Sequence, residues 1–190
     1  MSENQLSGAI PDSLQEAVLL QDLDLRSNRL EGTIPERLDQ ATSLVSLNIA
    51  ENNLKGRLTS SVFKLPKLED LQLNENQLDG TIPSMLSTAS SLKMLNLSSN
   101  LLVGSLPSAL GDITSLERLV LRNLDLEGSI PTTVARLTNL LELVISETGI
   151  EGSIPTLLGK ISDLQILDLN SNGIGGTIPT NLGRLTNLGR

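Results

Sequence analysis

Leucine recurs along the chain at fixed positions of a unit that is 24 residues long. In the register that begins at Leu20, the leucines Leu20, Leu23 and Leu25 are separated by polar residues, and Asn28 follows them. Alternation of apolar and polar residues predicts a short strand with one buried face. The apolar residues that follow Asn28 end at a proline, Pro35. Because proline cannot donate to a strand ladder, it predicts the end of extended structure and the start of a short helical turn.

The unit returns eight times with few departures, between residues 4 and 188. Its proline is replaced only in the third copy, by Thr59. A fixed period with many matching positions is typical of a solenoid, in which one unit cannot bury its apolar face but stacked neighbours can. The glycine of the unit lies at Gly8, Gly32, Gly56, Gly80, Gly104, Gly128, Gly152 and Gly176. The complete units predict parallel strands near residues 21–27, 45–51, 69–75, 93–99, 117–123, 141–147 and 165–171.

An asparagine closes the predicted strand in most units. It lies at Asn4, Asn28, Asn52, Asn76, Asn100 and Asn172. An inward asparagine can bond the backbone groups of neighbouring repeats where the chain turns, so the column indicates a structural role. The two copies between Asn100 and Asn172 have Leu124 and Thr148 instead. Because Leu124 cannot form hydrogen bonds through its side chain, we expect nearby backbone groups to find water or a side chain such as Asn123.

Composition and charge exclude several functional classes. The formal net charge of −8 disfavours binding to nucleic acids and to anionic membrane surfaces. The chain contains no His, Cys, Trp or Tyr, which excludes disulfides, thiol chemistry, thiolate metal sites and histidine-based catalysis. The longest uninterrupted apolar runs, such as residues 17–20, are far too short to span a bilayer, so no membrane insertion by this segment is expected. No cofactor or metal site is predicted.

The residues 71–86, LQLNENQLDGTIPSML, show the unit best. This sequence pattern resembles the plant-type leucine-rich repeat, LxxLxLxxNxLxGxIPxxLxxLxx, and the match covers almost all of the chain. The resemblance implies an α/β fold, a right-handed superhelical solenoid with a parallel sheet on its concave face. It further implies a short second sheet and 3-10 turns on the outer side. Residues 1–190 are predicted to form one domain. The paired-cysteine caps and signal peptide usual in this family are not seen, so we expect a segment of a longer protein or a member with reduced caps.

Two features of the strands could carry chemistry other than recognition. Asp22 and Asp24 share the exposed face of one strand with Cα atoms ~6.5–7 Å apart, near the separation found in inverting glycosidases. The face around them lacks aromatic residues, and a solvated acidic surface is the better interpretation, so no catalytic residue is predicted. Asn96 heads the only sequon for N-glycosylation, Asn96-Leu97-Ser98, which the repeat pattern also produces for structural reasons.

The exposed positions of the predicted strands change in character along the chain. They are polar and acidic in the first half, whereas the second half gathers apolar residues beside two arginines. Apolar residues on an otherwise polar face indicate an interface, although β-branched residues also suit strands for structural reasons alone. The predicted ligand-binding residues are Met94, Arg118, Val120, Arg122, Glu142, Val144 and Ile166.

The predicted function is non-catalytic recognition of a protein or peptide by the concave face, as the resemblance to receptor-like ectodomains implies. The alternatives are a structural or intracellular scaffold and recognition of a non-protein surface such as a cell-wall glycan or ice. The scarcity of aromatic residues counts against a glycan ligand, and the absence of a threonine ladder on the exposed strand positions counts against ice. A receptor-like protein would be extracellular, and a chain complete as written would be cytoplasmic. We expect a monomer that can self-associate through its uncapped ends.

Overall fold

The computed structural model describes residues 1–189. Each repeat contributes a strand, a turn, a second strand and a 3-10 helix, in that order along the chain. The strands β1 to β15 are Ser7–Ala9, Asp22–Asp24, Arg29–Gly32, Ser46–Asn48, Asn53–Arg57, Asp70–Gln72, Gln77–Thr81, Met94–Asn96, Leu101–Ser105, Arg118–Arg122, Asp125–Glu127, Glu142–Ser146, Glu151–Ser153, Ile166–Asp168 and Gly173–Gly175. The 3-10 helices are Asp12–Glu16, Leu38–Gln40, Val62–Lys64, Ser84–Thr88, Ser108–Asp112, Thr132–Arg136, Thr156–Lys160 and Thr180–Arg184.

The even-numbered strands form one parallel sheet, in the order β14-β12-β10-β8-β6-β4-β2. Neighbouring strands pair in a register of one repeat, so that Leu47 lies beside Leu71 and Leu71 lies beside Leu95. The outward side of this sheet is the concave face of the solenoid. Its strands lie at the predicted positions but are shorter than predicted, with three or five residues each.

The odd-numbered strands form the second sheet. The strands β1, β3, β5, β7, β9 and β11 pair side by side, and β13 pairs with β15. A single bridge between Ser129 and Glu151 connects the two groups. The fold is therefore a leucine-rich-repeat solenoid with two parallel sheets, as predicted.

The core is one continuous column of leucine and isoleucine between the sheets and the 3-10 helices. The inward leucines of the concave strands β4 to β12, including Leu71 and Leu119, are no more than 1% exposed. Each such side chain contributes roughly 2 kcal/mol through the removal of apolar surface from water. At the two ends the column meets solvent, where Leu19 and Ile178 remain largely exposed.

The asparagine column has the structural role that its position predicted. The buried Asn52 accepts a hydrogen bond from the backbone N–H of Leu30 in the preceding repeat at 2.9 Å. Its amide donates to the carbonyl oxygens of Leu25, Ile49 and Ala50. Asn76 and Asn100 repeat this arrangement one and two units later. One side chain thus satisfies backbone groups of two repeats at the turn, where no strand partner is available.

The glycine column reflects both backbone conformation and close stacking. Gly56 has φ of +79°, a region that L side chains rarely adopt, and a Cβ there would lie 3.0 Å from the side chain of Thr33 in the preceding repeat. The outer turns also follow the predicted pattern, since six of the eight 3-10 helices begin directly after the proline. In the third copy, without proline, the hydroxyl of Ser61 instead donates to the carbonyl oxygen of Pro35 at 3.3 Å.

Helices in this fold are short single turns. Among residues 1–189, none forms a helix with the length and apolar character needed to cross a bilayer.

Candidate functional site

The seven predicted ligand-binding residues lie on four adjacent strands of the concave sheet. Met94 is on β8, and Arg118, Val120 and Arg122 are on β10. Glu142 and Val144 are on β12, and Ile166 is on β14. The register places Arg118 between Met94 and Glu142, and it places Val120 directly beside Val144. The fold therefore brings residues that are up to 72 positions apart into one contiguous surface.

The expectation that Val144 is exposed is wrong. Its side chain is only 3% exposed, although it lies on the outward side of β12, whereas Val120 and Ile166 are half-buried. Arg122, Glu142 and residues of β14 line the same depression as Val144. Val144 thus forms the floor of the surface and cannot be its contact point.

A depression of about 400 Å³ lies above this floor. Its lining residues are Arg122, Glu142, Val144, Ile166, Leu167, Asp168 and Asn170. Arg122 spans one side, because its Nη2 atom lies 3.1 Å from a carboxylate oxygen of Asp168 and its Nε donates to the hydroxyl of Ser146 at 3.2 Å. Both members of this ion pair make a further hydrogen bond. Besides the bond from Arg122 to Ser146, the other carboxylate oxygen of Asp168 accepts a hydrogen bond from the backbone N–H of Asn170 at 3.1 Å.

Asp168 was missed by the reasoning from sequence. It occupies the same strand position as Val120 and Val144, so the signal for it was its place in the column, two repeats after Val120. Its importance becomes visible only through Arg122, which is 46 residues away in sequence. An ion pair across two repeats determines the orientation of the arginine and leaves its remaining N–H groups free to donate.

The strands β10 and β12 are the longest of the concave sheet, and both have valine as their third residue. The third residues of the seven strands are Asp24, Asn48, Gln72, Asn96, Val120, Val144 and Asp168. Each aspartate or asparagine among them accepts the backbone N–H of the residue two positions later, always at 3.1 Å. This local bond takes the N–H out of the ladder and ends the strand. Valine forms no such bond, and β10 and β12 pair over all five residues, although the N–H of Arg122 donates to the Ser98 hydroxyl.

The first half of the concave face is a different environment. Asp70 lines a smaller depression of about 260 Å³ together with Gln72, Met94 and Arg118. Burial raises the pKa of Asp70, and the hydrogen bonds from the Gln72 amide and the charge of Arg118 oppose that rise. Beside it, Lys93 and Glu69 form an ion pair at 2.7 Å. This half of the concave face is polar, and the buried side-chain oxygen of Asn74 in it has no hydrogen-bond partner in the described part of the chain.

The interruptions of the asparagine column are accommodated without a change of backbone conformation. Leu124 is 6% exposed and joins the core. The preceding Asn123 keeps the positive φ of this position, and its amide lies 3.4 Å from the Ser99 hydroxyl, so it does not take over the backbone bonds. The hydroxyl of Thr148 donates to the side-chain oxygen of Asn172 at 2.6 Å, which is not one of the backbone bonds that an asparagine such as Asn52 makes at this position.

Comparison with known sequence families identifies the repeat. Two sequence-family models, both described as leucine-rich repeat, match the chain: one at residues 42–102 and 66–126, the other at residues 19–41 and 163–185. Together these spans include more than half of the sequence. No curated protein matches the chain significantly.

Plant receptor ectodomains are among the solved structures similar to the chain. One is the plant peptide hormone receptor RGFR1 in complex with RGF2, with 30% identity and a TM-score of 0.95 over 99% of this chain and 30% of that one. Another is the Arabidopsis receptor kinase HAESA in complex with the peptide hormone IDA and the co-receptor SERK1, with 31% identity and a TM-score of 0.95. That match covers 99% of this chain and 32% of the receptor. The chain thus spans about a third of the length of these receptor structures.

A structure of a different kind is also similar. It is a plant ice-binding protein, with 28% identity and a TM-score of 0.76 over 95% of this chain and 66% of that one. The shared repeat is therefore found in proteins whose ligands differ completely, and the function has to be inferred from the surface.

Proposed function

Because the chain belongs to the leucine-rich-repeat family, of the plant type, we propose that it binds a peptide or protein on its concave face without catalysing a reaction. The receptors RGFR1 and HAESA, which share its fold over nearly its whole length, are in complex with peptides. The single observation that carries the proposal is the depression above Val144, where an apolar floor meets the ends of an arginine and two carboxylates.

The binding surface we propose extends from β8 to β14. Half-buried apolar side chains, Met94, Val120 and Ile166, can pack against apolar side chains of a ligand. The exposed Arg118 and Arg122 frame them and can donate to carboxylate or backbone oxygen atoms. An extended peptide that crosses these strands would contact both kinds of group at once.

The absence of histidine and cysteine supports recognition without catalysis. Asp22 and Asp24 lie on β2 at the edge of the sheet, one exposed and one half-buried. The side chain of Asp24 accepts the backbone N–H of Arg26 at 3.1 Å and so serves the local turn. We therefore propose no general acid or base at this end of the face.

Selection of short random peptides displayed on phage, with the full chain as target, tests the proposal. The dissociation constants of the selected peptides are then measured by fluorescence anisotropy. Val120→Asp and Ile166→Asp each place a charge at a half-buried apolar contact point, so each should weaken binding at least about tenfold. The matched controls are Gln72→Asp and Ser46→Asp, at the equivalent strand positions of earlier repeats, and they should leave binding within about twofold.

The controls also show how the proposal could fail. Peptides that lose binding to the Gln72→Asp protein, and bind the Val120→Asp protein normally, would place the site in the first half of the face. Selection that yields no peptide sensitive to either aspartate variant of the second half would reject a concave binding site there. Circular dichroism of all four variants verifies that each one retains its fold.

A second candidate function is recognition of ice, and the similarity to a plant ice-binding protein favours it. The second sheet carries an exposed row of mostly hydroxyl side chains, one per repeat: Thr33, Arg57, Thr81, Ser105, Ser129, Ser153 and Thr177. Such a row has a regular spacing of about 4.8 Å, although Arg57 interrupts it. Thermal hysteresis of the freezing point that disappears in a Thr81→Lys, Ser129→Lys variant would support this function. Hysteresis no greater than that of an inert control protein would reject it.

A further inference from the structure

The strand β9 presents two exposed apolar side chains on the outer side of the second sheet. Leu101 is 61% exposed and Val103 is 42% exposed, whereas Leu102 between them is fully buried in the core. At the same two positions the other repeats have polar residues, charged residues or glycine. These are Gln5, Arg29, Asn53, Gln77, Asp125, Gly149 and Gly173 at the first position, and Ser7, Glu31, Lys55, Asp79, Glu127, Glu151 and Gly175 at the second.

A depression of about 390 Å³ adjoins this apolar pair. It is lined by Leu101 and Leu124 together with the polar residues Asn76, Ser99, Asn100, Asn123 and Asp125. Leu124 is the residue that interrupts the asparagine column, so its apolar side chain in this wall has no counterpart in the regular repeats. Two independent departures from the repeat, at positions 101 and 124, therefore meet in one place on the surface.

Carboxylates flank the apolar pair on both sides. In the register of the second sheet, Asp79 of β7 lies beside Leu101, and Asp125 of β11 lies beside Val103. Glu127 follows on β11, and all three carboxylate side chains are exposed. None of the ion pairs found within residues 1–189 includes any of them. Arg57 is next to Asp79 in register but forms no ion pair with it.

We propose that this patch, formed by Leu101, Val103 and the adjoining depression, is a second docking surface for a protein segment that presents an apolar side chain between lysines or arginines. The exposed apolar pair can receive the apolar side chain, and the flanking carboxylates complement the basic residues. The acidic net charge of this chain makes another copy of itself a poor occupant. The patch lies on the second sheet, so the inference does not rest on peptide binding by the concave face.

The same phage-displayed selection tests this surface, with different variants. Leu101→Gln combined with Val103→Lys introduces residues that the third and fourth repeats already carry at these positions, so the fold should tolerate them. Peptides that are enriched on the natural chain and lost on this variant should contain an apolar residue together with Lys or Arg. The variant should weaken their binding at least about tenfold, and Asp125→Asn should weaken it several-fold and reduce its salt dependence.

Two controls separate this surface from general stickiness and from the concave site. Met85→Gln removes another exposed apolar side chain, on an outer 3-10 helix, and should leave the affinity unchanged. Val120→Asp should also leave it unchanged, whereas concave-site peptides should respond to Val120→Asp and not to the Leu101 variant. The proposal is overturned by the absence of any peptide sensitive to the Leu101 variant, or by sensitive peptides that lack basic residues. It is equally overturned by a concentration-dependent dimer of the natural chain that this variant abolishes, which would assign the patch to self-association.

Discussion

The concave sheet has two kinds of strand, and they differ in their third residue. Where that residue is aspartate or asparagine, as in β4 with Asn48, its side chain captures a nearby backbone N–H and the strand is three residues long. Where it is valine, as in β10 and β12, the strand has five residues. The chemistry of the face and the length of the strands therefore change together along the sheet.

The strand β6 is short although its third residue makes no such backbone bond. The amide of that residue, Gln72, donates instead to the carboxylate of Asp70. Both neighbouring strands, β4 and β8, end at an asparagine that binds a backbone N–H. Likewise β10 pairs over five residues with β12 but over only three with β8. Two successive valines occur at this strand position only in β10 and β12, the strands of the proposed binding site.

The largest effect is expected at the floor of the site. Val144→Asp places a carboxylate at a position that is only 3% exposed, and we expect a loss of about 3 kcal/mol in the free energy of unfolding. Val120→Asp, on the adjacent strand and half-buried, should cost less than about 1 kcal/mol. Urea denaturation of the two variants measures the difference. Equal losses would mean that the two valines have the same environment, contrary to the structure.

The asparagine column offers the next largest effect. Asn52→Leu copies the residue found at position 124 and removes four hydrogen bonds to the backbone, including that of the buried Leu30 N–H, so it should cost about 2–3 kcal/mol. Leu124→Asn, the reverse change, exchanges core burial for new backbone bonds and should alter stability by less than about 1 kcal/mol. Thermal and urea unfolding of both proteins compare them. A small cost at position 52 would contradict the structural role of the column.

A smaller effect should result from changing strand length. Val120→Asn provides an acceptor for the N–H of Arg122, which now donates to the Ser98 hydroxyl at 3.0 Å. We expect faster hydrogen exchange at residues 121, 122, 145 and 146, with a loss of stability below about 1 kcal/mol. Asn96→Val, with the opposite chemistry, should slow exchange at residue 98. Unchanged exchange in both variants would rule out the side chain as the cause of strand length.

The smallest effect concerns Asp70 in the polar half. Its pKa is raised by burial from the ordinary value of 3.8, so the folded state holds its proton more tightly than the unfolded state does. Stability is therefore reduced as the pH rises through this window, and the cost persists at neutral pH. Asp70→Asn removes that cost, and it should stabilise the protein more at neutral pH than below pH 3.8. Asp79→Asn, at an exposed position, is the control. A gain that is independent of pH would contradict burial of the charge.

The fold could be predicted almost completely from the sequence, and the site only in part. The leucines, glycines and asparagines act at fixed spacing, and each repeat contacts only its neighbours, so a pattern such as Asn52, Asn76 and Asn100 specifies the backbone wherever it recurs. The membership of Met94, Val120 and Ile166 in one surface followed from the same period. The lengths of the strands did not follow from the period, because a backbone N–H can bond a side chain of its own strand or of the neighbouring one.

What the sequence by itself determined was therefore the solenoid, its core and the outward positions of each strand. Only the tertiary structure decided which of those outward side chains reach solvent. Val144 and Val120 occupy equivalent positions, yet Val144 is 3% exposed and lines the depression beside Arg122, whereas Val120 is half-buried. Arg122 is held there by Asp168, 46 residues away in sequence. The period determines the backbone position of a residue and the face of the strand on which its side chain lies. The burial of that side chain depends on the size and orientation of neighbouring side chains, which can differ in every repeat.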